Sequence, residues 1–119
     1  MSDFFHHFRN KKTVVILLLA GIVLVAYSGV WNYPFIHLDD EIYVTNNSRV
    51  KLGLSWDNFK WALTSLKTAS NWHPVTWLSH MLDCQFYGLN PGGHHLTNLV
   101  FHLANVLLLF AVMQQMTGA

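Results

Sequence analysis

Charge is scarce in this sequence. Asp, Glu, Lys and Arg together make up 11% of its 119 residues, against roughly 25% in an ordinary soluble domain. Apolar residues reach 52%. The charges are also unevenly placed. Arg9, Lys11 and Lys12 precede the first apolar run, most of the others lie between Asp39 and Asp83, and none follows Asp83. Such depletion argues against a soluble globule of usual composition and suits two membrane segments around one water-facing loop. A net charge of +1 without a basic stripe gives no reason to expect a nucleic-acid partner. Cysteine is nearly missing as well. Cys84 stands alone, which excludes an intrachain disulfide and a cysteine-rich metal site; a lone cysteine in an apolar helix is usually a small core residue.

The apolar runs themselves are long. Thr13 to Ile36 is 24 residues without a charge, and Val14 to Ala26 is almost purely aliphatic. A helix rises about 1.5 Å per residue, so roughly 20 residues cross a hydrocarbon core about 30 Å thick. The reading is a cytoplasmic N-terminus at 1–12 and a first transmembrane helix over 13–33. Trp31 and Tyr33 are expected at the far interface, with Pro34 ending the helix. A cleaved signal peptide is the competing reading, with Ala26-Tyr27-Ser28 as its cleavage site, but the uncharged run continues well past Ser28. The basic residues at positions 9, 11 and 12 place the N-terminal flank in the cytoplasm and the loop outside.

The second transmembrane helix is expected over 94–117. Its centre is apolar apart from His102 and Asn105. His95, Asn98, His102 and Asn105 are spaced 3, 4 and 3 apart and so share one helix face. Polar groups facing lipid are costly, so the stripe should face protein or a wet cavity. It is either a packing seam against further helices or a substrate-lining face. His94, His95 and His102 lack the i, i+4 spacing of a helical metal pair, and the first span offers no histidine for a haem. No metal or haem is expected.

Between the spans, 34–93 is an outer loop with two helical signals. Ser55 is a good N-cap for a helix through Trp56, Phe59, Trp61, Ala62 and Leu63, with Asp57 in its first turn. Pro74 suits the first position of a second helix, which carries Val75, Leu78, Leu82 and Phe86 on one apolar face and ends at Gly88. Trp56, Trp61, Trp72 and Trp77 give both the character of amphipathic helices lying on the membrane surface. Asn90-Pro91-Gly92-Gly93 reads as a turn into the second span. The fold class is therefore an all-α membrane protein, two transmembrane helices joined by a long loop with two interfacial helices. Asp39, Asp40 and Glu41 concentrate the loop's acid close to the outer interface, either as a solvated turn or as a base for a hydroxyl. Asn46-Asn47-Ser48 matches the N-glycosylation pattern, which carries meaning only in a eukaryotic secretory compartment.

Several runs in this loop and the second span are familiar. They are Asp39-Asp40 with Tyr43-Val44-Thr45-Asn46, then Gly53-Leu54 and Trp61-Ala62, then Asn71 through His80, and last Gly88 through Asn98. In order and approximate spacing the stretch from Asp39 to about Phe110 resembles the first outer loop and second membrane helix of the transmembrane-and-tetratricopeptide-repeat proteins, particularly bacterial ones. That family is similar to the GT-C class of membrane glycosyltransferases, which includes protein O-mannosyltransferases. The resemblance implies a polyprenyl-phosphate sugar donor, a hydroxyl acceptor such as protein Ser or Thr on the outer face, inversion at the sugar carbon, and an acidic base early in the first outer loop. Asp39 and Asp40 occupy that place, with Asp40 slightly favoured and Glu41 a bystander. Burial beside a second carboxylate would keep one of the pair a competent base.

His73 joins His95, Asn98, His102 and Asn105 as a candidate for lining the substrate or packing helices. Relatives carry many more membrane helices and, usually, C-terminal repeats. Two helices cannot enclose a lipid-linked sugar, so the chain alone is expected to be inactive, either part of a longer protein or completed by other chains. The alternative is a two-helix membrane hairpin serving as a structural or assembly subunit.

Overall fold

The computed structural model describes residues 2–118, with side chains from Lys11 onward. The described residues are helical and include no strand. Five α-helices follow one another: α1 (Ser2–Ala26), α2 (Ser48–Lys51), α3 (Trp56–Thr64), α4 (Pro74–Tyr87) and α5 (Pro91–Thr117). They divide into two compact units, one formed by 1–29 with 98–119 and the other by 30–97.

The first unit holds most of the two apolar helices, residues 98 onward in the case of α5. The stretches Lys11–Asn32 and Pro91–Thr117 have mean hydropathies of 2.5 and 2.0, and both are long and apolar enough to cross a membrane. Only Val23 and Leu99 are buried among the described residues of this unit, while Leu17, Ile22, Val25, Leu108 and Leu109 are exposed. Within it, His102 meets the ring of Tyr27 edge-on, the centroids 5.2 Å apart.

The α-helical part of the first span is shorter than expected. It ends at Ala26 and not near Trp31. Ser28 N–H bonds to Val25 O, an i→i−3 bond that tightens the last turn, and a 3₁₀ turn at Val30–Asn32 continues the apolar run. Pro34 lies beyond both, so it is not what stops the α-helix. The second span starts earlier than expected. Asn90 accepts from Gly92 N–H at 3.0 Å through its side chain, and Pro91 occupies the first helical position, so the expected turn is α5's first turn. Gly92 is needed there, because a Cβ would come within 2.5 Å of Trp31 O.

The second unit has a core. Val44, Val50, Ala62, Trp77, Met81 and Cys84 are buried together, with Phe35, Tyr43, Trp61 and Leu78 packed against them. The expected cap of α3 forms, Ser55 Oγ accepting from Asn58 N–H at 3.1 Å. Pro74 opens α4, and Gly88 closes it with φ +61°, in the left-handed half of backbone space that glycine occupies without strain. The face of α4 turned to the core is Trp77, Met81 and Cys84; Val75, Leu82 and Phe86 are exposed. Elements outside the sequence expectation include a π-helical turn at Glu41–Thr45 and a 3₁₀ turn at Thr68–Ser70. Another is α2, capped by Asn47, whose side chain accepts from the N–H groups of Arg49 and Val50. Asn58 ties α2 to α3, donating to Arg49 O at 3.1 Å and to Gly53 O at 2.8 Å.

Candidate functional site

The polar side chains of the second unit converge around α4. Trp77 is the hub, 0% exposed, with Tyr43 stacked on it at 4.9 Å and Trp61 inclined at 5.3 Å. His73, just before Pro74, contacts both Tyr43 and Trp77. One turn further along α4, His80 meets Tyr43 edge-on and lies parallel to His94, centroids 5.9 Å apart. His94 comes from the first turn of α5 and also meets Phe35 at 5.3 Å.

A buried carboxylate sits inside this group. Asp83 is 4% exposed and His94 2%. Thr97 donates its hydroxyl to Asp83 Oδ1 at 2.6 Å, and Asp83 Oδ2 lies 3.7 Å from His94 Nδ1. The other ring nitrogen of His94 reaches Gly88 O at 3.1 Å. A carbonyl only accepts, so in that contact the proton sits on Nε2, which leaves Nδ1 as the nitrogen facing Asp83. Among the described residues, five buried side-chain polar atoms have no hydrogen-bond partner: His73 Nε2, Trp77 Nε1, His80 Nδ1, His94 Nδ1 and His95 Nε2. Such orphans are uncommon in a finished core, where nearly all buried polar groups are paired.

Burial and the nearby His94 hold the His80 imidazole below its usual pKa, against a weaker opposing pull from Asp83 and Asp40. Burial also pushes the Cys84 thiol up, Asp83 adding to the effect and Lys51 opposing it, so Cys84 is a poor nucleophile.

The expected site residues divide. Asp40 is half-buried at the start of the π turn, its Oδ2 accepting from Ile36 N–H at 2.9 Å. Asp39 is exposed, so the two carboxylates do not share a buried pocket. Glu41 pairs with the exposed His37. His73 is in the cluster. His95 is half-buried and tilted against Phe35. Asn98, His102 and Asn105 are exposed and belong to the unit of apolar helices. Among the loop cations, Arg49 bonds Asn58 and Lys60 sits over the Trp56 ring. His80, Asp83 and His94 are the residues that spacing alone missed. The i, i+3 pair His80 and Asp83 was the available signal, but the third member comes from the next helix. No protein family, curated protein or solved structure matches this chain.

Proposed function

We propose that the chain is the N-terminal part of a polytopic membrane glycosyltransferase that moves a sugar from a polyprenyl-phosphate donor to a hydroxyl acceptor on the outer face. The observation that carries this reading is the setting of Asp40. Its carboxylate is half-buried, one oxygen is held by Ile36 N–H, and the π turn that follows bears Tyr43, stacked on His73 and Trp77. A fixed carboxylate in the same unit as aromatic faces and unpaired polar atoms suits a sugar, whose C–H faces stack on rings and whose hydroxyls need partners. The Asp39 to Asn98 runs that resemble the GT-C-like family supply the rest of the support.

In this reaction Asp40 takes the proton of the acceptor hydroxyl as its oxygen bonds to the sugar C1. The C1–O bond to phosphate breaks, its electron pair leaves with the polyprenyl phosphate, and C1 inverts. Arg9, Lys11 and Lys12 orient the chain with its N-terminus in the cytoplasm and its loop outside a bacterial inner membrane. The exposed Asn98, His102 and Asn105 then face further helices of the assembly. That same exposed stripe favours one other reading, a two-helix subunit that serves assembly alone.

The test is transfer of label from a polyprenyl-phosphate mannose in membranes containing the complete enzyme. Asp40→Asn should lower turnover by at least about 100-fold, the scale of a lost general base, with membrane insertion unchanged. Wild-type turnover in both Asp39→Asn and Asp40→Asn sinks the catalytic role and leaves the assembly reading. Orientation is checked by an impermeant maleimide on Lys67→Cys in intact cells. Cys84 is buried and should not compete for the reagent; labelling only after lysis refutes the topology.

A further inference from the structure

We infer that His80, Asp83 and His94 form a binding site for a zinc-class divalent cation, clamping α4 to the first turn of α5. One ligand atom from each residue can be chosen so that all lie within 4.8 Å of one another. Two imidazoles and a carboxylate are a nitrogen and oxygen set that suits zinc better than the all-oxygen shells of magnesium or calcium. Tetrahedral zinc with bonds of about 2.0–2.1 Å needs ligand atoms about 3.3 Å apart. The pair His94 Nδ1 and Asp83 Oδ2, at 3.7 Å, is already close to that spacing. The His80 ligand atom lies within 4.8 Å of both, so metal binding requires its ring to draw closer.

The second observation is independent of this proximity. His94 is 2% exposed, yet its Nδ1 has no hydrogen-bond partner, and neither does His80 Nδ1. A buried ring nitrogen without a partner is unfavourable, and a bound cation gives both nitrogens one. The outer shell is also in place. Gly88 O holds the Nε2 proton of His94, leaving Nδ1 as the ligand atom. Thr97 holds Oδ1 of Asp83 and leaves Oδ2 facing His94. Three protein ligands leave a fourth position for water or an anionic oxygen. This site stands whether or not the chain belongs to a glycosyltransferase.

The experiment uses the full chain, free of any histidine tag, in detergent micelles. It is stripped with chelator, loaded with Zn²⁺ or Co²⁺ and passed through gel filtration. The wild type should retain about one metal per chain, and the Co²⁺ form should show the intense visible bands of a tetrahedral site. His80→Gln and the isosteric Asp83→Asn should each lose it, with tryptophan emission unchanged. His95→Gln, outside the ligand set, should keep it. Thr97→Val should weaken affinity about 10–100-fold, as outer-shell changes do. Failure of the folded wild type to retain zinc overturns the site, as does full retention in either His80→Gln or Asp83→Asn. Equal loss in His95→Gln also overturns it, because the metal would then be held elsewhere.

Discussion

The two units of this protein bury apolar surface in opposite ways. In the unit of 30–97, Val44, Val50, Ala62, Trp77 and Met81 are at most 1% exposed, so the chain supplies its own apolar surroundings. In the unit formed by 1–29 and 98–119, the same residue types face outward, with Ile22 at 66%. One unit has a core. The described residues of the other are nearly all surface, and surface of that composition is stable only against lipid or further protein. Hydropathy alone does not separate these cases, because a core helix and a membrane span are both rich in leucine and valine. Burial separates a helix packed in a core from one whose apolar face is left open.

The comparison breaks most forcefully at the core. Trp77→Ala should cost about 3–5 kcal/mol, and Met81→Ala about 2–5, by leaving cavities among packed neighbours. All five tryptophans (Trp31, Trp56, Trp61, Trp72 and Trp77) lie within 30–97, so tryptophan emission of the full chain in micelles reports on that unit alone. The expected outcome is a lower urea midpoint for emission while far-ultraviolet helix content from α1 persists. Parallel loss of both signals would show that the two units do not unfold separately.

A charge in the apolar unit comes next. Ile22→Arg should cost about 2.5–3.5 kcal/mol on insertion, the scale for arginine at the centre of a span. The matched control is Val75→Arg in the other unit. Val75 is 76% exposed, so at a water-facing position its replacement should change stability by no more than about 0.5 kcal/mol. The fraction resisting alkaline carbonate extraction measures the first and the urea midpoint the second. Equal, small effects at both positions would remove the distinction between the exposed apolar residues of the two units. A large effect at Val75 would indicate that the exposed face of α4, with Leu82 and Phe86, also sits at the membrane.

What could be read in advance follows the range of the forces involved. The caps Ser55, Pro74 and Gly88 act within one turn, and each marks its helix end where the sequence placed it. The two apolar runs were legible from length and composition, although the aliphatic run did not reveal that α1 gives way to tighter turns after Ala26. α2 was not legible. Four residues cannot hold a helix by propensity, and this one depends on Asn58 nine residues away. The cluster of His80, Asp83 and His94 is hidden for the same reason. Its geometry depends on the connection from Tyr87 to Pro91, which returns the chain against α4. Asp40 was legible as a residue type, whereas its separation from Asp39 in burial depends on the π turn.

The smallest effect tests whether hydrogen bonds hold the core-bearing unit as the apolar contacts do. Ser55→Ala removes the acceptor of Asn58 N–H, and Asn47→Ala removes the acceptor of two N–H groups at α2. Each should cost about 1 kcal/mol, read as a shift of the urea midpoint with its slope unchanged. The two caps are linked through Asn58, whose backbone is held by Ser55 and whose side chain holds Arg49 O. The double variant should therefore depart from the sum of the singles by more than about 0.5 kcal/mol, as neighbours in one network do. Strict additivity would mean that α2 and α3 are fixed independently by their apolar faces, with Asn58 adding little. Coupling would mean that this unit differs from the apolar helices in a second respect: its elements are joined by directional bonds between side chain and backbone as well as by burial.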